Sequence, residues 1–112
     1  KSRYIPLEIK AYGEGDYFRP HSDKYTGGNR RLNFGCVFYF TPIRFSGGDF
    51  LLFDTDFPGQ NYIPTRFTRF KPEDNTAIFY PSDSWHSVVP IKMTGGGFTD
   101  CRFAIIGHIE EE

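Results

Sequence analysis

Nowhere in this chain do apolar residues recur at i, i+3, i+4 and i+7 over three helical turns. Short runs of β-branched and aromatic residues take their place, each closed by a cluster rich in Gly, Pro, Asn or Asp. The runs predict strands over roughly 7–12, 17–22, 32–41, 48–53, 64–70, 76–80, 85–91 and 102–109. The breakers include Gly13-Glu14-Gly15-Asp16, Thr26-Gly27-Gly28-Asn29, Phe45-Ser46-Gly47-Gly48, Pro72-Glu73-Asp74-Asn75 and Thr94-Gly95-Gly96-Gly97. Eight strands at this spacing suit two facing sheets. The expected architecture is therefore an all-β core, a double-stranded β-helix (jelly roll) with few or no helices.

With 112 residues, a single domain spanning 1–112 is expected. Aromatic side chains make up 19% of it, 13 Phe and 7 Tyr among them, which supplies apolar mass for a sheet core and argues against disorder. A net charge of -1 gives no general attraction to nucleic acid or to a membrane surface. The basic residues Arg30, Arg31, Arg66 and Arg69 and the terminal Glu110-Glu111-Glu112 read as solvated surface. Cys36 and Cys101 lie in apolar runs with no C-x-x-C spacing, so buried free thiols are expected in preference to a disulfide. No signal-like or membrane-length apolar segment is visible, and a cytoplasmic setting is the expectation. Lys1-Ser2-Arg3 leads almost directly into a strand, as in an excised domain or a very compact one. The irregular pieces 24–31 and 54–63 are expected at the mouth of the scaffold, where substrate choice resides.

The chemistry-bearing pattern is His21-Ser22-Asp23, then His86, then Arg102. Residues i and i+2 of a strand share a face, so His21 and Asp23 can reach one metal, and His86 completes the set if its strand folds back beside them. Two neutral imidazoles and a carboxylate are the facial triad of non-haem Fe(II), which leaves coordination positions open. Structural zinc is more often closed by four ligands, typically with Cys. Taken alone, a His-x-Asp pair is common on exposed strands and a single His86 is an ordinary half-buried histidine. Arg102 sits between Cys101 and Phe103, where an unpaired guanidinium is costly, so a carboxylate partner is expected. Alternation puts Arg102, Ala104, Ile106 and His108 on one face, expected to be the inner one.

The flanking residues narrow the reading. Tyr12-Gly13-Glu14-Gly15-Asp16-Tyr17-Phe18-Arg19-Pro20-His21-Ser22-Asp23 resembles the Y-x-x-G-x-x-[FY]-x-x-H-x-D segment of prolyl-4-hydroxylase-like Fe(II)/2-oxoglutarate-dependent dioxygenases. Phe45-Ser46-Gly47-Gly48-Asp49-Phe50, the segment from Lys71 to Ser82, and His86-Ser87-Val88-Val89-Pro90-Ile91 resemble further motifs of that family, in family order. The resemblance runs from about Glu8 to Ile109.

It implies Fe(II) held by His21, Asp23 and His86, with Arg102 gripping the distal carboxylate of 2-oxoglutarate. It also implies O2 as oxidant, with ascorbate as an accessory reductant. Tyr39 corresponds to a tyrosine that hydrogen-bonds the same carboxylate, Tyr12 to one near the metal-chelating end, and Phe50 to an apolar wall. The implied activity is hydroxylation of a protein or peptide side chain, prolyl by analogy, with release of succinate and CO2. The alternatives are a small-molecule or free amino acid hydroxylase, or a non-catalytic metal-binding module of the same fold. A cupin-like isomerase or sugar-binding domain fits less well, because only three histidines are present. The substrate is expected at the barrel mouth, with no nucleic acid or membrane partner.

Two departures stand out. Arg102 follows His86 by 16 positions, further than in relatives, which predicts a long Gly-rich hairpin between the last two strands. His108 stands where relatives often carry Trp, and packing as a neutral ring is favoured over a place beside the iron site. Relatives also brace one sheet with helices preceding the first strand. This chain has none, which implies exposed apolar surface, a partner subunit or a preceding segment.

Overall fold

The structure, a computed structural model, describes residues 2–23, 31–41, 45–56 and 61–111. Among them are ten strands: β1 (Ser2–Tyr12), β2 (Phe18–His21), β3 (Arg31–Tyr39), β4 (Phe45–Gly47), β5 (Phe50–Thr55), β6 (Tyr62–Phe70), β7 (Thr76–Pro81), β8 (His86–Val88), β9 (Ile91–Met93) and β10 (Arg102–Glu111). The one helical element among these residues is a 3-10 turn, Phe98–Asp100. The predicted all-β architecture holds, and none of the described helices is long and apolar enough to cross a membrane.

Two four-stranded antiparallel sheets carry the fold. The larger runs β1-β10-β3-β7 and the smaller β2-β8-β5-β6, while β4 and β9 form a separate two-stranded ribbon. The inner faces close on Val37, Tyr39, Phe50, Tyr80 and Ala104, with Leu52, Phe70, Ile78, Val88 and Ile106 packed against them. A buried ring such as Phe50 contributes on the order of 1.5–3 kcal/mol. The other face of the larger sheet is also apolar but open. Ile9 of β1 is 70% exposed and Phe79 of β7 67%, with Leu7 and Phe34 exposed beside them. Residues of both kinds alternate along β3 and β10, so these strands read as unbroken apolar runs.

Four expectations are corrected. Phe45-Ser46-Gly47-Gly48, read as a breaker, contains β4, and Ile91, read as the end of a strand over 85–91, opens a separate strand, β9, paired with β4. The residues between His86 and Arg102 therefore form no hairpin. β8 belongs to the smaller sheet and β10 to the larger, and the chain crosses between them through β9 and the 3-10 turn. Cys36 and Cys101 are free, but half-buried where burial was expected. Cys36 lies on the open face opposite Phe79.

The irregular segment expected over 54–63 is shorter, because β5 continues to Thr55 and β6 starts at Tyr62. Its base is closed by the Asp56 N–H donating to the Asn61 carbonyl. Residues 57–60, and the 24–30 part of the other loop with Arg30, lie outside the described residues.

Gly47 and Gly48 have φ of 72° and 71°, which L side chains rarely adopt. A Cβ at Gly47 would also run into the Pro90 carbonyl oxygen, and the Gly48 N–H donates to that same carbonyl at 3.2 Å. This glycine pair lets the chain turn from the ribbon into β5 against the start of β9.

Candidate metal centre and cosubstrate pocket

Antiparallel pairing of β2 with β8 sets His21 directly opposite His86. Asp23 follows β2 and is fixed by its backbone N–H, which donates to the Ser82 carbonyl at 2.8 Å. The three side chains come together with potential ligand atoms all within 4.8 Å of one another. His21 Nε2 lies 3.2 Å from Asp23 Oδ1, and His86 Nε2 3.1 Å from Asp23 Oδ2. His86 is buried, while His21 and Asp23 are half-buried.

Each imidazole is oriented by its own chain. His21 Nδ1 lies 2.8 Å from the Arg19 carbonyl and His86 Nδ1 2.9 Å from the Ser84 carbonyl. A carbonyl only accepts, so Nδ1 carries the hydrogen in both rings. In the neutral tautomer this leaves both Nε2 lone pairs facing a carboxylate. Such a set of acceptors is favourable only with a cation among them, a proton or a metal. Backbone-held imidazoles of this kind are the usual support of metal-ligating histidines.

Burial alone would raise the Asp23 pKa. The hydrogen bonds and charge of His21 and His86 outweigh it and hold the carboxyl well below the usual carboxylate range. Phe50 stacks on His86 with centroids 5.3 Å apart, and Phe18 packs on His21 at 4.0 Å. The donor set therefore fits a divalent iron, and these aromatic walls limit water around it.

A cavity of about 100 Å³ extends from this cluster along β10 to Arg102. Arg102, Ala104, Ile106 and His108 all line it, in agreement with strand alternation. Arg102 is 2% exposed and its guanidinium carbon lies 4.4 Å from the Tyr12 ring centre and 5.1 Å from that of Tyr39. Thr41 Oγ1 fixes the neighbouring backbone, accepting from the Phe103 N–H at 2.6 Å and donating to the Phe103 carbonyl at 3.0 Å.

Despite this burial, Arg102 Nε and Nη1 have no hydrogen-bond partner, and neither does the Tyr39 hydroxyl. The carboxylate expected beside Arg102 is not a protein side chain among the described residues. Burial lowers the Arg102 pKa, against the pull of Tyr39 and Tyr12, and raises that of Tyr39 to about 12. Three orphaned donors converging in one cavity fit a dicarboxylate with one carboxylate to be clamped.

Phe50 lines the cavity wall. Tyr12 lies against the Arg102 guanidinium. His108 faces the cavity, half-buried, with Nδ1 unpartnered. Burial keeps its pKa below the ordinary value in spite of Asp23 and Glu8, with His86 and Lys10 acting in the same direction as burial.

Sequence reading missed Tyr80, whose hydroxyl donates to Asp23 Oδ2 at 3.2 Å, and Lys10, which lines the cavity beside Phe18. Alternation with inward-facing Ile78 on β7 was the available signal for Tyr80. The carbonyls of Arg19 and Ser84 carried none, since any residue type supplies one.

Known proteins resemble this chain in sequence and in fold. The family model of the 2OG-Fe(II) oxygenase superfamily matches residues 7–110. An uncharacterized PKHD-type hydroxylase of Synechocystis sp. is 31% identical over 96% of this chain and 37% of its own length. Among solved structures, an oxidoreductase of the 2OG-Fe(II) oxygenase family from Burkholderia pseudomallei superposes with TM-score 0.72 at 15% identity, over 97% of this chain and 45% of that one. A prolyl-4-hydroxylase of Pseudomonas putida gives 0.65 at 18%, over 95% and 52%. The viral collagen prolyl hydroxylase of Paramecium bursaria Chlorella virus-1 gives 0.67 at 18%, over 100% and 62%. The chain thus spans about a third of the curated relative and about half the length of these structures. The extent of the family match identifies it as a member of the 2OG-Fe(II) oxygenase superfamily.

Proposed function

We propose that residues 1–112 form the catalytic domain of an Fe(II)- and 2-oxoglutarate-dependent hydroxylase acting on a protein or peptide side chain, prolyl among the candidates. One observation carries this reading. The cavity joins an acceptor-only cluster that needs a cation to a buried cation that lacks an anion. Two ligands of opposite charge would satisfy both ends.

His21, Asp23 and His86 would hold Fe(II), and Arg102 with the Tyr39 hydroxyl would take the distal carboxylate of 2-oxoglutarate. The bound metal and cosubstrate supply the oxidation: O2 is consumed, 2-oxoglutarate becomes succinate and CO2, and a substrate C–H becomes C–OH. The chain's own residues bind, orient and exclude water. Tyr12 backs the guanidinium, Phe50 fixes the His86 ring plane, and the two backbone carbonyls set which imidazole nitrogens face the metal. The peptidyl acceptor is proposed by analogy with the prolyl hydroxylases named above. A cytoplasmic, reducing setting belongs to the same proposal and suits the two unpaired thiols.

Anaerobic titration with Fe(II) and 2-oxoglutarate tests it. The weak visible charge-transfer band of the chelate should appear, and admission of air should give Fe(II)-dependent succinate. A protein that binds neither overturns the proposal. Metal at a hundred times its dissociation constant should also stabilise the fold by about 2.7 kcal/mol, or about 10 °C in melting temperature. A chelator should reverse that shift in a thermal melt.

A further inference from the structure

We propose that Tyr80 is a positioning residue that sets the Asp23 carboxylate for metal binding, and that position 35 is glycine because the Tyr80 ring must lie over it. This rests on the Fe(II) reading of the His21, Asp23 and His86 cluster and deepens it.

Tyr80 and Asp23 belong to opposite sides of the barrel. Tyr80 is on β7 of the larger sheet, while Asp23 follows β2 of the smaller one. The phenol spans the gap and donates to Asp23 Oδ2 at 3.2 Å. A carboxylate that gives one oxygen to a metal has a second to satisfy, and among the described residues Tyr80 is the side-chain hydroxyl that reaches Asp23. The same ring packs on His86 with centroids 4.5 Å apart and on Phe50 at 5.1 Å. Tyr80 therefore touches two of the three residues of the cluster.

Gly35 makes this placement possible. It pairs with Tyr80 in the β3–β7 register. A Cβ there would come within 2.6 Å of Tyr80 Cε2 and closer still to Cζ and the hydroxyl oxygen. The φ of Gly35 is not positive, so the requirement is space and not backbone freedom. Any side chain at 35 would drive the phenol away from Asp23.

The test is Mn(II) titration of the whole chain, followed by electron paramagnetic resonance, with 2-oxoglutarate affinity measured separately at saturating metal. Tyr80→Phe keeps the ring and removes the donor. Its Mn(II) dissociation constant should rise about 10- to 100-fold. The 2-oxoglutarate affinity should stay at the wild-type value, because Arg102 and Tyr39 are untouched. Gly35→Ala should weaken Mn(II) in the same direction, and Gly35→Ala with Tyr80→Phe should not be additive, since both remove one contact.

Wild-type Mn(II) affinity in Tyr80→Phe overturns the inference even if Gly35→Ala fails to fold. So does a variant that loses metal and 2-oxoglutarate affinity together with its apo melting temperature, which would mark general damage. A wild type that binds no Mn(II) removes the metal reading itself.

Discussion

Asp23→Ala is expected to abolish Fe(II)-dependent succinate formation and to weaken Mn(II) or Fe(II) binding by more than about 100-fold, above the range for losing a supporting hydrogen bond. Asp23 is the anionic member of the cluster. Without it, two neutral imidazoles facing each other at a ring distance of 4.2 Å remain, which no longer offset the charge of a divalent ion. Asp23→Asn keeps the shape and should fail nearly as badly, because charge and not volume is removed.

The apo protein should also suffer. Its Tyr80 hydroxyl loses its acceptor, at a cost of about 1–3 kcal/mol for a buried unsatisfied group. The pH dependence follows from the lowered pKa of Asp23. A carboxyl held below its unfolded value stabilises the fold fully above the ordinary carboxylate range, begins to lose that contribution as pH falls through it, and loses the rest only as pH falls through the lowered folded value. Melting curves of apo wild type and Asp23→Ala should therefore differ at neutral pH and converge in acid. A constant difference across that range would show that Asp23 is not held ionised by its neighbours.

How far the sequence disclosed this site depended on the range of the interaction. Strand alternation put His21 and Asp23 together in the sequence, and they do meet, although β2 ends at His21 and Asp23 is placed by its backbone N–H on the Ser82 carbonyl. Their meeting with His86 is a pairing of β2 with β8, which neither segment specifies alone; the order of flanking motifs supplied it. Arg102, Ala104, Ile106 and His108 were legible as one face for the same local reason. The β4–β9 ribbon was not, because three-residue strands beside two glycines have no period to read. The spacing between His86 and Arg102 gave the length of the connection but not its route, so a hairpin was expected where the chain crosses between sheets. Along Phe34 to Phe40 both faces are apolar, and alternation could not show that one of them stays open.

Arg102→Leu separates function from stability in the opposite sense to Asp23→Ala. Truncating one partner of a buried charge pair costs about 2–5 kcal/mol of binding, so 2-oxoglutarate should bind roughly 30- to 5,000-fold more weakly at saturating metal. Metal affinity should change little, since Arg102 is no part of the three-residue cluster. Without ligand, however, Arg102 is 2% exposed with Nε and Nη1 unpartnered, its guanidinium close to two tyrosine rings. A desolvated cation in that state opposes folding, and replacing it with an apolar side chain is often neutral or stabilising. The apo melting temperature of Arg102→Leu should therefore equal or exceed that of wild type, and the stabilisation that 2-oxoglutarate gives the wild type should vanish. Tyr39→Phe should follow the same pattern more weakly, because it removes one orphaned hydroxyl. If Arg102→Leu instead destabilised the apo protein while 2-oxoglutarate bound as before, the arginine would be a structural residue and the cosubstrate carboxylate would lie elsewhere. A polar group kept buried at a cost to the empty fold is what a pocket shaped for a charged ligand requires, and the two melting temperatures measure that cost directly.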